Sequence, residues 1–183
     1  MKTCHLCAVA LVLAILVGCA TTESRPPEPA EPQIDLALFT EAEVLNAGFD
    51  PQTGSHLMLL RTKGSRRAGT IVPIFVGDRE AQALQMKISG QISMRPMTHD
   101  LTVALLEKLN ARIEYAVVED MQEGVFLARI FFRDADNALL SLDSRASDAI
   151  ILAVTAGRKV YIHHDVVKAA GIKAEDEPES ITT

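Results

Sequence analysis

Between residues 35 and 172 the apolar positions change period repeatedly, and each change marks an element. Val44 to Phe49 and His56 to Arg61 are short apolar runs around Asp50-Pro51-Gln52-Thr53-Gly54, a turn sequence, so they predict a hairpin. Thr70 to Val76 is rich in β-branched residues and reads as a strand ending at Gly77-Asp78. Asp78 is placed to cap a helix running through Ala81, Leu84, Gln85 and Ile88. Thr98 to Leu109 carries leucines at 101, 105, 106 and 109, a helical stripe.

Arg112 to Glu119 and Val125 to Arg133 alternate about Gln122-Glu123-Gly124 and predict a second hairpin. Asp134-Ala135-Asp136-Asn137 turns the chain into a further strand over residues 138–143. Ser147 to Ala156 has a helical apolar face at Ile150, Ala153 and Val154, with Gly157 as its stop. A short strand over residues 160–162 and a short helix over 165–170 complete the pattern. Hairpins interleaved with helices indicate a single α+β domain with an antiparallel or mixed sheet.

The ends are different. Residues 1–19 combine Lys2, an apolar run from Ala8 to Val17 and the sequence Leu16-Val17-Gly18-Cys19, so they read as a secretory signal to be excluded from the fold. The LVGC sequence resembles the lipobox of bacterial lipoproteins, which implies cleavage before Cys19 and lipid on its thiol. Cys4 and Cys7 lie inside that signal, so their CxxC spacing carries no redox or metal chemistry. Cys19 is then the only mature cysteine, and stability rests on packing without a disulfide. Residues 20–34 are rich in proline and glutamate and read as an extended tether. Residues 173–183 form an acidic tail with too little apolar surface to offset ordering entropy. Such a chain is expected in a bacterial envelope, lipid-anchored and facing the periplasm. Ala20 is not the aspartate that resembles an inner-membrane retention signal, which favours the outer membrane.

The net charge of −6 is concentrated in those ends, because residues 34–173 hold 16 Lys plus Arg against 17 Asp plus Glu. A near-neutral domain neither supports nor excludes a nucleic-acid ligand. With no tryptophan and 4% aromatics, a stacking platform for single strands is disfavoured. No nucleotide-binding glycine loop, nucleophile elbow or zinc-finger spacing occurs.

Chemistry gathers at two helix starts. In Arg95-Pro96-Met97-Thr98-His99-Asp100, Thr98 suits an N-cap and Asp100 the positive end of the helix dipole. Capping leaves Arg95 and His99 unexplained. Asp100 and Glu107 share a helix face, and carboxylates beside an imidazole can hold a divalent cation or activate water. In Asp143-Ser144-Arg145-Ala146-Ser147-Asp148, Ser147 is the expected N-cap and Asp148 a first-turn acid. Arg145 either clasps an aspartate or meets a phosphate, whose oxygens match its planar fork. Asp100, Asp143 and Asp148 are the candidate ligands for a metal such as Mg2+ or Mn2+. His163-His164-Asp165 is a weaker metal-like cluster, and Lys63, Arg66 and Arg67 form a small basic loop.

VPIFVGDREAQAL, RPMTHDL and LDSRASDAIILA, in this order and spacing, resemble the bifunctional nuclease domain family of bacteria and plants. The resemblance spans roughly residues 42–171. It implies an α+β fold, a homo-oligomer and the ability to degrade DNA and RNA. It also carries functional weight onto Glu80, Arg95, His99, Asp100, Asp143, Arg145, Ser147 and Asp148. One departure is Ala146, where the family usually has proline. Two readings stand: a phosphodiesterase site split between the helix starts, or a non-catalytic binding or assembly module in which the same polar residues are structural.

Overall fold

The computed structural model describes residues 34–63 and 69–173. The signal with Cys19, the tether, Arg66 and Arg67, and the acidic residues beyond 173 lie outside the described residues. The described residues lie in one compact unit that contains the whole sheet and core.

After a single 3-10 turn over Leu36–Leu38, strand β1 (Phe39–Asp50) pairs with β2 (Ser55–Thr62), and β2 pairs with β3 (Thr70–Val76). β1 starts five residues earlier than the apolar run suggests, because Phe39 to Ala42 pair with β7 (Lys159–His163), a partner distant in sequence. Helices α1 (Asp78–Ile88) and α2 (Thr98–Lys108) follow. The second hairpin is β4 (Arg112–Gln122) and β5 (Val125–Arg133), continued by β6 (Leu139–Arg145). Helix α3 (Ala146–Thr155) returns the chain to β7, which lies parallel to β4. Helix α4 (His164–Ala170) leads to the two-residue β8 (Ile172–Lys173) on the edge of β3. The result is one mixed sheet in the order β6-β5-β4-β7-β1-β2-β3-β8, in which only the β4–β7 pairing is parallel.

The expected α+β single domain is therefore what the chain forms. α3 is its centre. Six of its ten residues are buried, namely Ala146, Ser147, Ala149, Ile150, Ile151 and Ala153. It touches β3 as well as β4, β5, β6 and β7, although β3 and β6 lie near opposite ends of the sheet. A helix about 15 Å long reaches both only because the sheet curls around it. Its small residues allow that close approach, and Gly157, at φ +65°, ends it in a conformation that a side chain disfavours.

Several local readings need correction. The leucine stripe of α2 is not a core face: no α2 residue is buried, and Leu101, Leu105 and Leu109 are exposed. The N-caps of α1, α2 and α3 are Gly77, Met97 and Arg145, not Asp78, Thr98 and Ser147. Each helix thus begins one or two residues earlier than the polar cap residues suggest. β6 runs directly into α3 without a loop, which moves Ser147 into the buried first turn.

Candidate active site

The starts of α1, α2 and α3 meet. Counting from each cap, Glu80, Asp100 and Asp148 all occupy the third helical position, where a carboxylate faces free backbone N–H groups and the positive dipole end. Their side chains then take different partners.

Asp148 is the hub. Its Oδ1 lies 3.3 Å from His99 Nε2, and its two oxygens accept from Arg145, Oδ2 from Nε at 2.7 Å and Oδ1 from Nη2 at 3.1 Å. Arg145 Nη2 also pairs with Glu80 Oε1 at 3.0 Å. One guanidinium therefore joins the starts of α1 and α3, and one carboxylate joins α3 to α2. The His99 side chain is only 14% exposed, while that of Arg145 is 67% exposed. Burial pushes the Asp148 carboxyl up, but the hydrogen bonds and charges of Arg145 and His99 together outweigh it and hold the group below its ordinary value. The same two carboxylates raise the Arg145 guanidinium further above its already high value, Asp148 foremost.

Gly77 leaves room for the Glu80 arm of this network. A Cβ built there would sit 2.4 Å from Glu80 Oε2, so the Glu80 carboxylate occupies the space that a larger residue would fill. In the sequence Gly77 reads only as the end of a strand. Its position three residues before a glutamate was the available signal.

Asp100 belongs to a separate pair. Its Oδ1 is bound by Lys87 from α1, and its Oδ2 accepts the Met97 backbone N–H at 3.1 Å. Lys87 is the main cause that keeps the Asp100 carboxyl below its usual range, against a smaller upward push from burial. Nothing in the sequence pattern singles out Lys87. Asp143 is exposed on β6, in register opposite Arg129, whose guanidinium is held by Glu119 at 2.8 and 2.9 Å. Glu107 lies two turns along α2 from Asp100, lining a small cleft with Arg112 and Arg158. Arg95 is exposed on the segment before α2 and is paired with none of the described residues. Ser147 is 7% exposed, the one polar residue that is buried as a whole among the described residues.

Asp100, Asp143 and Asp148 thus face three different cations. Among the described residues no group of three or more His, Cys, Asp and Glu side chains is arranged to hold a metal. As arranged, the donors do not fit a resident Mg2+ or Mn2+, because Glu80 and Asp148 are both committed to Arg145. The His163-His164-Asp165 cluster is likewise a cap, with His163 Nδ1 accepting the Asp165 N–H at 3.2 Å. Beside Arg145 lies an open groove of about 530 Å³, with Phe75, Val125 and Phe126 among its apolar walls and Asp143, Arg145 and Ser147 at its polar side.

The sequence model of the bifunctional nuclease domain matches residues 58–175, which include every member of this network. The chain belongs to the bifunctional nuclease domain family. It is also similar to an uncharacterized protein of Mycobacterium tuberculosis, in strain CDC 1551 / Oshkosh and again in strain ATCC 25618 / H37Rv. Each is 30% identical over 133 residues, covering 73% of this chain and 76% of the relative. The match to the family begins inside β2, so β1 lies outside it although β1 sits between β2 and β7 in the sheet. No helix among the described residues is long and apolar enough to cross a membrane.

Proposed function

We propose that this domain hydrolyses phosphodiester bonds of DNA or RNA, with His99 as the proton-transfer group and Asp148 as its orienter. The carrying observation is the 3.3 Å contact between them, formed by residues 49 apart in sequence and on different helices. In the tautomer that donates Nε2–H to Asp148, the His99 Nδ1 lone pair is left to accept a proton from an attacking water. The water oxygen then bonds to phosphorus, the P–O bond to the leaving sugar oxygen breaks, and the imidazolium returns the proton to that oxygen. Arg145 fixes Asp148, and Arg95, lacking a partner among the described residues, is a guanidinium free to meet phosphate. The family name supports this reaction class.

One observation favours a second reading. Arg145 already binds two carboxylates, which is what a structural clasp between helix starts would look like. In that case the domain is a binding or assembly module. Incubation of the 31–183 unit with DNA and RNA, in Mg2+, Mn2+ and chelator, separates the two. Cleavage is expected to fall steeply in folded His99→Ala and Asp148→Ala variants. Equal cleavage by those variants refutes the site, and absence of cleavage in every condition favours the assembly module.

The chain is further proposed to be lipid-anchored through Cys19 in a bacterial envelope, on the LVGC sequence and the tether that follows. Cys19→Ala should abolish labelling by a radioactive fatty acid in cells and release the protein from the membrane fraction. Retained labelling would place the lipid elsewhere. A homo-oligomer is part of the same proposal.

A further inference from the structure

Asp143 takes no part in the proton transfer proposed above, yet it lines the groove beside Arg145. That groove forms where the curl of the sheet brings the end of β3 near the start of β5 and the end of β6. Its volume of about 530 Å³ falls within the range of small-molecule sites, roughly 300–1,000 Å³. Phe75 and Val125 on its walls are 58% and 63% exposed, so apolar surface there is open to a ligand. We infer that the groove seats one unpaired nucleobase beside the scissile phosphate, and that Asp143 selects bases bearing an amino group. The inference rests on the hydrolysis proposed above and names the part of the substrate that the groove reads.

The walls suit the faces of a base. Aromatics are scarce in the chain, at 4%, but Phe75 and Phe126 both line this groove, enough for one stacked base and not for an extended platform. The polar edge suits its rim. Arg129, in register opposite the exposed Asp143, gives its hydrogen bonds to Glu119, so the Asp143 carboxylate keeps lone pairs for an incoming N–H. A carboxylate repels phosphate, so this end of the groove receives the base and not the backbone. An exocyclic amine is the donor that a carboxylate reads, as with N4 of cytosine.

The phosphate goes to Arg145, two residues along β6 on the same face and about 7 Å away. Its bonds to Asp148 and Glu80 use Nε and Nη2, which leaves the Nη1 donors for a phosphate oxygen. With two carboxylates already on that guanidinium the phosphate contact is weak, and the base carries most of the selectivity. In a duplex the amine is paired and the base faces are stacked, so the seat admits single strands.

Fluorescence anisotropy with labelled oligocytidylate and oligouridylate of equal length, on the purified full chain in chelator, tests the seat. Cytosine donates from its amine where uracil accepts, and the two rings are otherwise alike. The wild type is expected to bind the cytidine strand about tenfold more tightly, and a blunt duplex more weakly than that strand. Asp143→Ala should remove the preference by weakening the cytidine strand. Phe75→Ala should weaken both strands about tenfold and keep their ratio. Both side chains are exposed, so circular dichroism should be unchanged in either variant. Equal affinities in the wild type overturn the inference, as does a preference that survives Asp143→Ala. Undetectable binding of both strands overturns it too, and capture of a lysine-rich peptide, lost in Asp143→Ala, would then assign the groove to a basic protein segment. A cytidine preference with no cleavage in any metal condition keeps the seat and sinks the hydrolysis. Cleavage by a protein that binds both strands equally does the reverse.

Discussion

The starts of α2 and α3 use nearly the same residues to different ends. Each follows an arginine, Arg95 or Arg145, and each places an aspartate at the third helical position. Asp100 accepts the backbone N–H of its cap, Met97, and is held by Lys87, whereas Asp148 takes the side chain of its cap, Arg145, and reaches across to His99 of α2. The difference follows from where each helix lies. α3 is buried in the hollow of the sheet, so its first turn is presented to the starts of α1 and α2. α2 buries no residue and packs at the periphery. A first-turn carboxylate is thus a capping device by default. It becomes a candidate catalytic group when tertiary packing brings an imidazole to it.

Exchanging the two aspartates should break that comparison most sharply. Asp148→Ala is expected to lower nucleic-acid cleavage by about a hundredfold or more, the usual range for losing oriented acid–base catalysis. Asp100→Ala removes a cap and one ion pair and should leave cleavage nearly unchanged once the variant is folded. Equal losses in the two variants, measured as initial rates on the same oligonucleotide, would erase the distinction drawn between the helix starts.

Stability gives the next contrast. Arg145→Ala leaves Glu80 and Asp148 without their shared cation, close together and partly buried, and should destabilise the domain by on the order of 2 kcal/mol. Arg145→Lys keeps the charge but cannot span both carboxylates with one planar fork, so it should recover only part of that. Lys87→Ala frees only Asp100, which keeps its backbone hydrogen bond, and should cost about half as much. Denaturant midpoints at constant slope rank the three. A larger loss in Lys87→Ala than in Arg145→Ala would mean that the α2 pair is the true clasp.

Which of these features could be read from the chain follows from their range. The α+β class was legible because hairpin turns and helical periods are local, as in Asp50 to Gly54 or Gln122 to Gly124. Arg95, His99, Arg145 and Asp148 could be named because polar residues beyond capping needs stand out. Their partners could not. Glu80 meets Arg145 because the starts of α1 and α3 converge, and Lys87 meets Asp100 because the last turn of α1 reaches the start of α2, and both approaches are set by tertiary packing. The parallel β4–β7 pairing and the early start of β1 depend on strands far apart in sequence. The leucine stripe of α2 has a core-like period and lies in solvent, since periodicity shows that a face is apolar but not what covers it.

The pH response sharpens the comparison further. Both aspartates have folded values below the ordinary carboxylate range, Asp148 through Arg145 and His99 against burial, Asp100 mainly through Lys87. A depressed carboxyl contributes stability that is present above its unfolded value, near pH 3.9, and is lost as pH falls through the folded value. Acid unfolding should therefore steepen below about pH 4 in the wild type. Asp148→Asn and Asp100→Asn should each lower stability at neutral pH and flatten that acid limb. Chemical denaturation at a series of pH values measures it, and an unchanged limb in both variants would show that neither pair survives in solution.

The smallest effect is expected where the network meets α1. In Gly77→Ala the new methyl falls on Glu80 Oε2, the far end of a flexible side chain, so the carboxylate can swing away rather than distort the backbone. The loss should be about 1 kcal/mol, made up of the Glu80–Arg145 contact and a poorer cap. If the clash is the cause, Glu80→Ala should absorb most of it, so that the double variant is little worse than Glu80→Ala alone. Full additivity in that cycle would assign Gly77 to the turn between β3 and α1 and remove it from the site. Because Asp148 still holds Arg145 in Gly77→Ala, cleavage should fall far less than in Asp148→Ala. That ordering follows if Glu80 acts on the chemistry only through Arg145.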